Sequence, residues 1–249
     1  MRPASIEWID SCDSTNTLMK SRGEAVAHGH VIATRTQTAG RGQRGNSWEA
    51  EPGKNLTFSQ MLHTDGMDAE RQYELSMLTA LAILNVLERH LGRDARLSIK
   101  WPNDIYAADR KLGGILIEGS VCAGCLDHIV LGAGINVNQS EFRSDAPNPV
   151  SMTQITGKEY DLEALMQEIG DEIADQMAIY EEDPDGEALR AMYKDALWRR
   201  EGMHAYRDTA TGEHFEAEIA DVLPSGLLRL RRADGSEHDY EFKQVAAIL

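Results

Sequence analysis

The chain has 249 residues, 42% of them hydrophobic, and carries 25 Lys and Arg against 41 Asp and Glu, a formal net charge of −16. That length and apolar content suit one large domain, or a large one with a small appendage, and exclude a disordered chain. The acidity argues against nucleic acid as the main partner. The chain has neither a signal-like apolar start nor any run of 18 apolar residues, so the expectation is a cytoplasmic protein with no membrane partner.

Asp13-Ser14-Thr15-Asn16 offers N-caps for a helix over 15–27 closed by His28-Gly29, and Val31 to Thr36 reads as a strand. A glycine-rich loop fills 38–54 and a strand follows from Asn55 to Leu62. Met77, Leu78, Leu81, Leu84, Leu87 and Leu91 recur at helical spacing, which predicts a long core-facing helix over 69–91 stopped by Gly92. Strands are predicted at 96–100, 112–118 and 128–137. Leu162, Leu165, Met166, Ile169, Ile173, Met177 and Tyr180 mark a second long helix, and 187–198 a third. Residues 151–198 hold 3 basic against 13 acidic residues, read as a solvated helical face. After Trp198 the pattern changes to short strand-like runs, from Met203, His214, Leu227 and His238, joined by turn formers such as Pro224-Ser225-Gly226. The expected organisation is a domain over 1–199 and a small all-β module over 200–249.

Three cysteines are too few for a disulfide framework. Cys122-Ala123-Gly124-Cys125 has redox or zinc spacing, but no second pair completes a site, so a turn between strands is the expectation. The histidines form no metal-ligand pattern.

Two segments carry the chemistry. In Thr38-Ala39-Gly40-Arg41-Gly42-Gln43-Arg44-Gly45-Asn46-Ser47-Trp48 the glycines clear the way for backbone N–H groups to approach an anion, and Arg41 and Arg44 add charge. Between 35 and 54 four basic residues face Glu49 and Glu51, against the trend of an acidic chain. The loop is not a P-loop, because Gly-x-x-x-x-Gly-Lys-Ser/Thr is absent. Trp48 could stack on a purine, although a tryptophan beside a strand is more often core. In Lys100-Trp101-Pro102-Asn103-Asp104 the proline breaks a strand, so Asn103 and Asp104 should project at a strand end, and Lys100 and Lys111 flank this turn. A lysine facing in from a sheet needs an anionic partner, either Asp104 or a bound carboxylate or phosphate. Gly132-Ala133-Gly134-Ile135-Asn136-Val137-Asn138 adds a close-approach backbone site but lacks the third glycine of a dinucleotide fingerprint.

In this order, Asp13-Ser14-Thr15-Asn16, Gln37-Thr38-Ala39-Gly40-Arg41-Gly42, Lys-Trp-Pro-Asn-Asp and Gly132 to Asn138 resemble the biotin protein ligases over most of residues 1–200. The resemblance implies an α+β fold, with a mixed β-sheet flanked by helices of the class II synthetase-like kind and a small SH3-like C-terminal β-barrel. It implies that biotin and ATP, with Mg2+, give biotinyl-5′-AMP, and that a lysine of a biotin carboxyl carrier protein then displaces AMP. Ser14, Thr15 and Asn16 would line the biotin pocket, with Gln37, Gly40, Arg41 and Gly42 holding the ligand's head and carboxylate. Lys111 would contact carboxylate and phosphate, helped by Arg41, Arg44 and Lys100. Trp48, Asn103 and Asn136 would bind adenine, Asp104 would orient this cluster or help hold magnesium, and Gly132 and Gly134 would let backbone approach the ring. Some family members dimerise through a sheet edge, and an exposed edge could equally receive the carrier, so the oligomeric state stays open with a homodimer as one option.

Two departures matter. Relatives commonly have basic residues where Gln43 and Asn46 stand, which implies a leakier intermediate here. The first block begins at residue 13, too early for the helix-turn-helix of the repressor members, which implies a dedicated ligase. The alternatives are a lipoate or octanoate attachment enzyme, which shares the fold, and a non-catalytic binding module.

Overall fold

A computed structural model describes residues 5–64, 67–122, 124–144, 148–183 and 185–248; the side chains of Glu24, Arg44, Val121 and Cys122 lie outside this description. The chain opens with β1 (Ser5–Ile9), α1 (Thr15–Arg22) and β2 (His30–Thr34). Helix α1 is shorter than the 15–27 expected, because Gly23 takes a φ of 65° and a 3-10 turn over Gly23–Ala25 replaces the last turn. Then come β3 (Leu56–His63), α2 (Gln72–Leu91), β4 (Leu97–Lys100), β5 (Asp104–Ala107), β6 (Arg110–Cys122) and β7 (Cys125–Ile135). Three helices follow, α3 (Met152–Thr156), α4 (Leu162–Glu181) and α5 (Glu187–Asp195). The last strands are β8 (His204–Asp208), β9 (His214–Val222), β10 (Leu228–Arg232), β11 (Glu237–Tyr240) and β12 (Val245–Ala247).

The first seven strands form one mixed sheet in the order β1-β2-β3-β7-β6-β5-β4, in which only β1 and β2 run parallel. The last five make a second, wholly antiparallel sheet in the order β11-β10-β9-β8-β12. Helix α2 covers one face of the large sheet, with α4 and α5 packed against it. Thirteen of its twenty residues are buried, including Leu75, Leu78, Leu81 and Leu87, so it is a central core helix. On α4 the apolar stripe of Leu165, Met166, Ile169 and Ile173 is buried while Asp161, Glu163 and Asp175 are exposed, the solvated acidic face read from composition.

The opposite face of the sheet carries α1 over a small cluster of Met19, Ile32, Met61 and Val130. Strand parity extends that face: from Met61 to Ser59 on β3, from Val130 to Gly132 and Gly134 on β7, and to their β6 register partners Leu116, Gly114 and Glu118. Three of those positions are glycine, which leaves a hollow beside α1. The β6–β7 hairpin turns at Gly124, φ +85°, with Cys122 and Cys125 facing each other in register. Cys125 is exposed and the Cys122 side chain lies outside the described residues.

Candidate active site

The hollow is a cavity of about 730 Å³, the size of a small-ligand site. Its first wall is the start of α1. Ser14 stands at the N-cap, but its side chain makes no capping hydrogen bond and instead lines the cavity. Gln37 reaches across: its Oε1 accepts from the Thr15 backbone N–H at 2.8 Å and lies 3.3 Å from Thr15 Oγ1. Asn16 lies flat on the floor, where a Cβ on Gly132 would stand 2.0 Å from its Oδ1. The Asn16 Nδ2 donates to Leu116 O at 3.2 Å and Glu118 Oε2 at 3.0 Å, and Ser59 Oγ lies 2.5 Å from Oδ1.

At the other end Lys111 and Asp104 meet, Nζ to Oδ1 at 2.7 Å, over Gly114. Asp104 was one of the two partners expected for an inward lysine, and Lys111 is the one it takes. Lys100 does not share it: its ammonium donates to the Tyr106 hydroxyl at 3.0 Å and sits over the Tyr106 and Trp198 rings at 5.1 and 5.6 Å. Cation–π contact thus replaces a carboxylate. The turn between β4 and β5 contains a cis Trp101-Pro102 bond, and the hydroxyls of Tyr73 and Tyr193 lie 2.8 and 3.0 Å from the Pro102 carbonyl. Burial and the neighbouring Tyr193 push the Tyr73 hydroxyl well above its ordinary value, so it stays a neutral donor. Asn103 is buried at this turn and its Nδ2 donates to the Ile115 carbonyl.

The glycine-rich loop forms the third wall. It folds back on itself through Gly42 N–H to Asn46 O (2.7 Å) and Trp48 N–H to Gly40 O (2.9 Å), with a 3-10 turn over Gln43–Gly45 between. Trp48 is not core. It is half-buried on the sheet, its ring where a Cβ on Gly134 would be 2.4 Å from Cε2, and its buried Nε1–H has no acceptor among the described residues. An N–H so placed, on a cavity wall, is a donor for something that enters the cavity. Phe242, on the turn between β11 and β12, closes the rim and packs edge-on to Trp101 with centroids 6.3 Å apart.

Of the residues singled out from sequence, Ser14, Thr15, Asn16, Gln37, Arg41, Gly42, Trp48, Lys100, Asn103, Asp104, Lys111, Gly132 and Gly134 line this one cavity. Gly40 is not on the lining; its lack of a Cβ makes room for the Trp48 carbonyl, which a Cβ would meet at 2.6 Å. Nor is Asn136, whose Nδ2 is 3.0 Å from Val150 O and 3.4 Å from Lys111 O, so the amide braces the start of β6 from behind. The Arg44 side chain lies outside the described residues. Arg41 lines the cavity, but its guanidinium donates to Glu118 at 2.9 Å and to Thr17 at 3.3 Å. Gly114, under Lys111, and Glu118 are four positions apart on β6, or about 13 Å of strand. Arg41 is therefore parked at the Asn16 end, away from Lys111.

Glu118 was not foreseen. Burial raises its carboxyl, but hydrogen bonds from Asn16, Lys20 and Arg41 outweigh that and hold it below the ordinary carboxylate value. Parity was the available signal, since 114, 116 and 118 share a face once 110–122 is read as one strand. Ser59 was missed because a serine inside an apolar strand carries no sequence mark.

This chain's sequence matches the biotin/lipoate A/B protein ligase family over residues 8–136, more than half its length. The chain belongs to that family. It is 38% identical over 136 residues to the bifunctional ligase/repressor BirA of Salmonella typhimurium, covering 55% of this chain and 42% of that protein. It is 32% identical over 158 residues to a biotin–[acetyl-CoA-carboxylase] ligase of Paracoccus denitrificans, covering 62% and 65%. This ligase-family chain thus spans less than half the length of the BirA relative and about two thirds of the other. Its fold is that of the biotin protein ligase from Aquifex aeolicus in complex with biotin and ATP, with a TM-score of 0.78 at 20% identity over 98% of this chain and 99% of that one. The Leishmania major biotin protein ligase in complex with biotinyl-5-AMP gives a TM-score of 0.68 at 22% identity, over 96% and 99%.

Proposed function

We propose that this chain is an ATP-dependent biotin protein ligase, which condenses biotin with ATP to biotinyl-5′-AMP and passes the biotinyl group to a lysine of a biotin carboxyl carrier protein in the cytoplasm. The observation that carries the reading is one cavity with two chemically different ends. The Ser14, Thr15, Asn16 and Gln37 end presents uncharged polar groups, suited to a ureido ring, and the charge of Arg41 beside it is neutralised by Glu118. The Lys111 end is cationic, suited to the carboxylate and phosphates. The proposed division places the catalytic domain at 1–199 and an SH3-like module at 200–249.

In the first step a biotin carboxylate oxygen attacks the α-phosphorus of ATP, a P–O bond forms and pyrophosphate leaves. Two anions must be brought together, so charge neutralisation and placement dominate. Lys111 supplies both: Asp104 takes one ammonium hydrogen and fixes the side chain, leaving two for the reacting oxygens. Lys100 adds a second positive charge and the unpaired Nε1–H of Trp48 a donor for the nucleotide. In the second step the acceptor lysine's amine attacks the mixed-anhydride carbonyl, the C–O bond breaks, AMP leaves and the amine gives up its proton.

Magnesium fits this donor set only as a nucleotide-borne ion. No group of three or more metal-ligating side chains occurs among the described residues, and Asp104 is the one carboxylate on the cavity lining. One carboxylate with phosphates and water is a common magnesium environment, and the ion would neutralise phosphate charge. No helix among the described residues is long and apolar enough to cross a membrane.

Exchange of labelled pyrophosphate into ATP tests the proposal. Exchange with biotin, absent with lipoate and reduced at least about a hundredfold in Lys111→Ala, is the expected result. Exchange with lipoate instead would move the chain to the other branch of the family, and biotin binding without exchange would make it a binding module.

A further inference from the structure

We infer that Glu118 is a positioning residue that fixes the Asn16 amide with its oxygen toward the ligand, so that this end of the pocket selects for a ligand N–H. The inference rests on the biotin reading of the site above.

The two oxygens of Glu118 have different partners. Oε1 accepts from Arg41 at 2.9 Å and Lys20 at 3.2 Å, whereas Oε2 accepts from Asn16 Nδ2 at 3.0 Å. The second hydrogen of Nδ2 goes to the Leu116 carbonyl at 3.2 Å, and Ser59 Oγ stands 2.5 Å from Asn16 Oδ1. Glu118 Oε2 and the Leu116 carbonyl therefore fix one orientation of the amide, because a flipped Asn16 would turn its oxygen on two acceptors at once, and the Ser59 hydroxyl, also 2.8 Å from Thr15 Oγ1, is left to donate to Oδ1. An amide oxygen has two acceptor sites and Ser59 uses one. The other has no donor among the described residues, and the oxygen stands where a Cβ of Gly132 would be, on the cavity lining with Asn16 and Gly132. A buried acceptor of this kind favours a ligand that brings an N–H and rejects one that brings an oxygen, since the second leaves two acceptors facing each other. A ureido ring has two N–H groups, and a dithiolane or an alkyl chain has none.

Glu118→Gln keeps the shape and removes the logic. Arg41 and Lys20 both demand an acceptor, so the single carbonyl of a glutamine turns to them and its NH2 faces Asn16. Asn16 is then pulled two ways, by the glutamine NH2 toward a flip and by the Leu116 carbonyl against it, so its oxygen is no longer held toward the cavity. Arg41 stays paired with a neutral acceptor, and nothing at the Lys111 end changes.

The test is titration calorimetry of the full chain with biotin and with the two cyclic carbamates in which one or other ureido N–H is replaced by oxygen, alongside steady-state kinetics. In the wild type, biotin is expected to bind about tenfold to a hundredfold more tightly than one of the two carbamates, as befits one buried hydrogen bond. In Glu118→Gln that preference should fall to near unity, with KM for biotin raised by a similar factor and kcat at saturating biotin unchanged. A variant that keeps the wild-type preference, or that weakens biotin and carbamate in parallel, would overturn the inference while leaving the biotin reading intact. Failure of the wild type to bind biotin would remove both. Should Glu118→Gln not fold, Glu118→Asp carries the same comparison, because a side chain one methylene shorter cannot serve the cations and Asn16 together.

Discussion

At Gly132 the sheet and the start of α1 are in direct contact, and the 2.0 Å that a Cβ would leave to Asn16 Oδ1 is far inside van der Waals range. Alanine there must push Asn16 off the floor. Gly132 has no positive φ, so the substitution strains contacts and not backbone. The expected outcome for Gly132→Ala is a KM for biotin raised more than about tenfold with little change in the denaturation midpoint, checked by steady-state kinetics beside a urea titration. An equal loss of stability and binding would show the glycine to be structural instead. Gln43 sits on the cavity lining with Asn46, on a loop whose one described arginine, Arg41, is committed to Glu118. A cation at 43 adds attraction for the adenylate phosphate that the loop now lacks. Gln43→Arg is expected to slow dissociation of pre-formed biotinyl-5′-AMP several-fold, read by quench of the complex into excess unlabelled ligand.

At the scale of elements, two ties hold the site's walls. Glu49, just past Trp48, accepts from the backbone N–H groups of Arg143 (2.8 Å) and Ser144 (2.7 Å), joining the glycine-rich loop to the segment after β7. Burial raises this carboxyl, but the donors of Ser144 and Arg143 outweigh it and leave its value lowered. A group depressed on folding contributes above its unfolded value and loses that contribution as pH falls through its folded value. The tie should hold at neutral pH and loosen on acidification below the ordinary carboxylate range near 4.5. Amide exchange at Arg143 and Ser144 is expected to be faster in Glu49→Gln than in the wild type at neutral pH, with the difference vanishing under acid. The second tie is Glu74, 1% exposed on α2, which binds Arg71, Arg190 and the Tyr180 hydroxyl and so pins α4 and α5. Removing it strands two arginines, and Glu74→Ala should cost about 3 kcal/mol or more in urea denaturation.

The same scale shows what the sequence could tell. The long apolar periodicities found α2, α4 and α5, and the i, i+2 glycines of 132 and 134 do share the site face. Strand β5 escaped because four residues after Pro102 are too few to show alternation, and β1 and α3 have only five each. Asn136 was drawn into the adenine group by its motif, yet its amide donates to the backbone carbonyls of Lys111 and Val150, bracing the contact in which the Val150 N–H also donates to the Lys111 carbonyl, a pairing no sequence displays. Glu118 was hidden by its distance from the glycine-rich loop, 77 residues from Arg41, which only the sheet brings together.

At the scale of the whole molecule, the small sheet is not an appendage hung beside the site. It contributes Phe242 to the cavity rim, and it is held by Trp101 Nε1–H to Gly226 O (2.9 Å), Arg199 to Ile248 O (2.8 Å) and Lys194 to Asp221 (3.0 Å). Gly226 concentrates this docking. Its φ is +86°, and a Cβ would lie 2.7 Å from the Tyr73 ring, whose hydroxyl also meets the Pro102 carbonyl beside Asn103 and Asp104. A side chain at 226 is thus penalised twice, by about 1–3 kcal/mol of backbone strain and by collision with an aromatic that cannot move without releasing the turn. Gly226→Val should free the small sheet, shift the Trp101 indole resonance toward its solvent-exposed position and lower the rate of transfer to the carrier. Biotin binding at the distant Asn16 end should survive. If transfer were unaffected while the indole shifted, Phe242 and its sheet would be scaffolding without a part in the reaction.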